Sequence, residues 1–143
     1  MSGLAGLLAG HFPAGVYRWH GAFAAADVQH AVEHAGHRFA HVDGWTAQSK
    51  AEFLAAVGEA LGFPDHYGRN LDALEDCLRD VEVGEAGAVL LWDGWSTLAR
   101  NDDRTFRVLL DIFRRRAGDQ RKGPLSVLLR GEGPDVEGLT SLD

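Results

Sequence analysis

The continuous apolar run Ala88-Val89-Leu90-Leu91-Trp92 has the character of a strand covered on both faces. Leu125-Ser126-Val127-Leu128-Leu129 predicts a last strand, and Arg38-Phe39-Ala40-His41-Val42, closed by the turn Asp43-Gly44, an earlier one. Between these runs the apolar spacing lengthens to three and four. Phe53, Leu54, Val57 and Leu61 fall on one side of a helix that opens on the capping box Ser49-Lys50-Ala51-Glu52 and stops at Gly62, before Pro64. The stretch 62–69 reads as a loop. A second helix starts at Asn70, a good N-cap, and runs to about Val81. A later one, capped by Asp102 or Asp103, carries Phe106, Val108, Leu109, Leu110, Ile112 and Phe113 and ends near Ala117-Gly118.

The ends are less patterned. Residues 22–35 are Ala-rich and helix-compatible, with Gly36 placed for a left-handed C-cap. Residues 1–21 are Gly-rich and mixed, and predict a loosely structured arm. The tail from Gly131 predicts irregular backbone. The order helix, strand, helix, helix, strand, helix, strand implies an α/β fold, in which strands joined by helical crossovers form a three-stranded parallel sheet packed by helices. The implied division is an N-terminal extension of arm and helix (1–36), a domain (37–130) and a tail (131–143).

Composition narrows the function. With 14 basic and 21 acidic residues in 143, the formal charge is −7, which argues against a phosphate-binding nucleic-acid surface and suits an electropositive protein partner. The single cysteine, Cys77, permits no internal disulfide and fits a reducing compartment. The N-terminus lacks the basic start and long apolar core of a signal peptide, and no stretch reaches the length of a membrane span. A cytoplasmic protein, monomeric when free and without a cofactor, is the expectation.

Charge is concentrated in residues 65–85, where seven acids face two bases. At about 100° per residue, Leu71, Leu74, Cys77, Leu78 and Val81 fall on one side of the second helix; Asp72, Glu75, Asp76, Arg79 and Asp80 fall on the other. Asp72 and Asp76 stand one turn apart, a mildly destabilising repulsion partly offset by the helix N-terminus near Asp72. Such a face is either merely solvated or a rigid anionic display.

The stretch Tyr67-Gly68-Arg69-Asn70-Leu71-Asp72-Ala73-Leu74-Glu75-Asp76, after the Pro64 loop, resembles the signature of the barstar family. The similarity extends weakly over 37–130, with Val42-Asp43-Gly44 and Trp92 at matching strand positions. The resemblance implies a barstar-like domain and an intracellular inhibitor that blocks a basic, extracellular-type guanyl ribonuclease. Its acidic helix and preceding loop would make the contact, through His66, Tyr67, Gly68, Asn70, Asp72, Glu75, Asp76, Arg79 and Asp80. Asp72 and Asp76 would engage cationic groups that otherwise bind RNA phosphate; Gly68 and Asn70 would shape the loop. Four positions depart from barstar: His66 stands for a tyrosine, Glu75 for a tryptophan, Arg79 for a threonine and Arg115 for a glutamate.

Other readings use the same residues. The acidic face could serve a non-inhibitory binding module with a different regulatory partner. His66 with Asp72 or Asp76 could form an acid–base pair, but no nucleophile elbow or phosphate loop accompanies it, so no enzyme is expected. His30 and His34, four apart, could hold zinc only with a third ligand, so no metal is expected. Cys77 and Trp92 read as core, Trp95 as core or site flank; Trp19 and Trp45 are left unassigned.

Overall fold

The run around Leu90 becomes the centre of a parallel sheet. The computed structural model describes residues 2–119 and 121–143. The elements are α1 (Ser2–Leu8), β1 (Val16–Trp19), α2 (Ala25–His34), β2 (His37–Asp43), α3 (Lys50–Ala60), α4 (Leu71–Arg79), β3 (Gly87–Asp93), α5 (Ser96–Asn101), α6 (Asp103–Gly118), β4 (Leu125–Arg130) and β5 (Thr140–Ser141). Among the described residues the sheet has five strands in the order β2-β3-β4-β1-β5, with every neighbouring pair parallel.

Strand periodicity distributes the core. Leu90 and Trp92 of β3, with Val127 and Leu129 of β4, join the large cluster under α3 to α6. Val89, Leu91 and Leu128 point the other way, into a smaller cluster with Leu4 and Leu7 of α1 and Val28 and Val32 of α2. The sheet is thus covered on both faces, which is why its central strands are almost wholly apolar.

The three-stranded expectation is corrected to five. β1 escapes the sequence pattern because Arg18 sits in its middle. The Arg18 guanidinium lies 5.2 Å from the Trp95 ring centroid, and its Nη2 donates to the Gly133 carbonyl at 3.1 Å. β5 has two exposed residues and no apolar signature; Leu142 beyond it is buried and donates its N–H to the Arg18 carbonyl. The arm expected to be loose holds α1 and β1. Gly3 of α1 marks close approach: a Cβ there would stand 1.9 Å from the Leu142 carbonyl oxygen. The short α5, with Ser96, Leu98 and Ala99 buried, was not anticipated.

Candidate functional site

α4 is fixed at both ends. The Asn70 side chain accepts from the Ala73 N–H at 2.8 Å, closing the first turn. Just before it, Arg69 holds a left-handed backbone with φ of 52°, an uncommon conformation for a residue with a Cβ. The loop is pinned by Tyr67, whose hydroxyl donates to the Leu54 carbonyl at 3.0 Å and whose ring meets Phe63 edge-on, centroids 4.9 Å apart. Burial pushes the Tyr67 phenol up to about 12, helped by Cys77 and opposed by Arg69, so it stays a donor.

At the other end stand two arginines that sequence reasoning missed. Arg116 of α6 is buried. Its Nε donates to the Leu78 carbonyl at 2.8 Å, and its Nη1 to the Asp119 and Gly123 carbonyls at 3.0 Å each. Burial lowers its pKa, with Asp119 opposing. Arg38 of β2 donates to the Leu61 and Glu82 carbonyls, both at 2.8 Å, strapping the end of α3 to the segment after α4. The one sequence signal for Arg116 was its place on the apolar stripe of α6, seven residues after Leu109 and three after Phe113.

Held this way, α4 buries Leu74 and Leu78 and presents Asp72, Asp76, Arg79 and Asp80 to solvent. Asp72 has no ion-pair partner among the described residues. Asp76 has one: an Arg79 nitrogen 3.2 Å away, with the two side chains 71% and 54% exposed. A pair so open to water contributes about 0.3–0.5 kcal/mol and yields readily to a stronger partner. Glu75 is bound more closely, its Oε2 accepting from Arg115 Nε of α6 at 2.8 Å. Glu75 and Arg115, two of the four positions set apart by the resemblance in the sequence, are therefore one ion pair.

A groove of about 500 Å³ separates the loop from α4 and is lined by His66, Tyr67, Gly68, Asp76, Cys77 and Asp80, among others. Of the sequence-predicted residues, His66, Tyr67, Gly68, Asp76 and Asp80 meet there. Asp72, Glu75 and Arg79 lie outside that lining, and the Asn70 side chain is engaged as the cap. Cys77 is half-buried on the groove wall, not in the core as its helical position suggested. Its thiol is raised first by burial, then by Asp76 and Asp80. His66 is exposed and makes no hydrogen bond to Asp72 or Asp76 among the described residues. His30 and His34 stack with ring centroids 6.1 Å apart on an exposed face of α2, and among the described residues no group of three or more side chains could hold a metal. Trp19, Trp92 and Trp95 are buried; Trp45 is exposed.

A family model described as Barstar (barnase inhibitor) matches residues 37–130, the span from β2 to the end of β4. The chain belongs to the barstar family. This is an inhibitor family whose described target is a ribonuclease. The barstar match leaves out α1, β1, α2 and β5, which cover the second face of the sheet and extend it past β4. No curated protein matches the chain. Among solved structures, the ORC2 protein of Aeropyrum pernix, in ADPNP-ADP complexes, is similar over 91% of this barstar-family chain, with a TM-score of 0.56 and 15% identity. The chain spans 38% of that protein's length, and the likeness is one of fold alone.

Parallel sheets of this kind take ligands outside the carboxyl ends of their strands, where the strand order reverses. Here that place, between β4 and β1, is filled by Arg130. Its Nη1 donates to the Gly21 and Phe23 carbonyls at 2.9 and 2.6 Å, its remaining nitrogens pair with Asp93, and its guanidinium lies 5.4 Å from the Trp19 ring centroid. Among the described residues no helix is long and apolar enough to cross a membrane.

Proposed function

We propose that this protein inhibits a basic guanyl ribonuclease of the barnase type inside the producing cell, covering the enzyme's active site with α4 and the loop before it. The observation that carries the reading is the posture of Asp72 and Asp76: exposed, one turn apart, on a helix whose two ends are tied by Asn70 and Arg116. Carboxylates held this way stand where RNA phosphates would lie. They enter a cationic cleft with little ordering entropy and accept charge-assisted hydrogen bonds from Arg or Lys. His66, Gly68 and Asp80 would border the contact across the groove, with Tyr67 and Asn70 holding its shape. No chemistry is assigned to the chain itself.

The test is stoichiometric inhibition. Purified protein added to barnase or a related secreted guanyl ribonuclease should abolish RNA cleavage at one equivalent, and raising salt should slow association more than it speeds dissociation. No inhibition across a set of such nucleases would end the proposal. The Glu75–Arg115 pair favours a second reading, because it neutralises one acid of the face. In that reading the same helix serves a different regulatory partner. Affinity capture from the source organism would separate the two: a small basic ribonuclease supports inhibition, a non-nuclease supports the binding module.

A further inference from the structure

The outward side of α4 is not uniformly acidic. Toward the loop it carries Asp76 and Asp80; toward α6 it carries Glu75 and Arg79, facing Arg115. Between the two helices lies a notch of about 60 Å³ with an apolar floor of Leu78 and Ile112. At roughly 30 Å³ per water in the liquid, that is room for a carboxylate head or two waters.

The notch is rich in unengaged donors. Arg115 gives only its Nε to Glu75, and its two terminal nitrogens have no hydrogen-bond partner among the described residues. Arg79 has one nitrogen near Asp76 and no other ion-pair contact among the described residues. Arg116 closes the base of the notch, 5% exposed, with its Nε and Nη1 already given to backbone carbonyls, so the free donors there are those of Arg79 and Arg115. The acids at the notch are already bound: Glu75 to Arg115, and Asp119 to Arg121 through two nitrogens at 2.9 and 2.7 Å.

We infer that the notch between α4 and α6 receives an aspartate or glutamate side chain from the rim of the partner's basic cleft. The contact is then bipolar. Asp72 and Asp76 meet cations, while Arg79 and Arg115, a short step away on α6's side, meet an anion. This rests on the proposed function and adds to it the charge pattern of the partner: a nuclease whose cationic site is bordered by a carboxylate. A nuclease with lysine or arginine there would meet Arg115 head-on and be rejected.

The probes are purified guanyl ribonucleases, one set with a carboxylate beside the basic cleft and one set with a basic residue there. Inhibition constants are measured for the full chain and for Asp76→Asn, Arg115→Gln and Glu75→Gln. Arg115→Gln should weaken inhibition of the carboxylate-rimmed set about tenfold, the lower end expected for a hydrogen bond to a charged group. Glu75→Gln should tighten it, because the freed guanidinium turns wholly to the partner. Asp76 and Arg115 are exposed and Glu75 is half-buried, and matching thermal melts confirm the fold. If Asp76→Asn weakens inhibition while Arg115→Gln is neutral or tightening, the bipolar contact is wrong and the inhibitor reading stands. If no nuclease is inhibited, or Asp76→Asn is neutral as well, the inhibitor reading itself has failed and the notch has no role of this kind.

Discussion

Arg116 Nε donates to the Leu78 carbonyl at 2.8 Å, so the last turn of the acidic helix hangs from a buried guanidinium of α6. The same side chain serves two further carbonyls, at Asp119 and Gly123. Arg116→Leu would leave the Asp119 and Gly123 carbonyls without a described donor and the Leu78 carbonyl with only the long bond from the Val81 N–H, at 3.4 Å, and each acceptor that water cannot reach costs about 1–3 kcal/mol. We expect a loss of about 3 kcal/mol or more in urea unfolding, together with faster amide exchange in α4 than in α3. An unchanged midpoint would show that water replaces the guanidinium without penalty.

Gly58 and Tyr67 make a second test of how the loop is held. In an ordinary helix interior, glycine to alanine is favourable. Here an added Cβ would stand 2.6 Å from a Tyr67 ring carbon, and the ring cannot retreat freely because its hydroxyl is bonded to Leu54. Gly58→Ala should destabilise by about 1–3 kcal/mol, the range for overpacking, and displace the loop. Tyr67→Phe in the same background should recover part of the loss by freeing the ring. Additive losses would point to some other cause.

The sequence announced the elements whose signals are local. The capping box at Ser49 and Glu52, the Asn70 cap and the left-handed Gly36 each follow from chemistry within a few residues. The amphipathic split of α4 was equally readable, because Leu74 and Leu78 are buried while Asp72, Asp76 and Asp80 are exposed. What stayed hidden depends on distant partners. β1 is a strand because β4 and β5 flank it, and Arg18 within it has its partners in Trp95 and Gly133. Cys77 shares the apolar arc of α4, yet the space opposite it is the groove and not a packed neighbour. The Glu75–Arg115 bond joins residues forty apart, so their substitutions looked independent until the two helices were placed side by side.

Acidification should reveal the Asp93 cluster. Burial raises the Asp93 pKa, but hydrogen bonds from Arg130 and His41 outweigh it and the net shift is downward. A carboxylate depressed in the folded state adds stability above its unfolded value of about 3.9, and that stability is lost as pH falls through the folded value. Asp93→Asn should therefore lower stability at neutral pH and flatten the acid limb. The change in urea midpoint between about pH 5 and about pH 2 should be smaller than in the parent. An equally steep limb would remove Asp93 as a source of acid sensitivity.

Asp76 provides the sharpest discrimination between a solvated helix and a binding face. Its side chain is 71% exposed and its one ion-pair partner, Arg79, is itself open to water, so Asp76→Asn should move fold stability by less than about 0.5 kcal/mol. Asp27→Asn, on the exposed side of α2 across the sheet, should be as mild. Against an inhibited guanyl ribonuclease the two must separate: losing one partner of a desolvated charge pair costs about 2–5 kcal/mol, while a remote surface acid changes only the approach. Calorimetry of both variants against the same nuclease, with association rates followed from low to high salt, gives the comparison. Equal affinities would remove Asp76 from the contact and leave α4 an ordinary solvated helix.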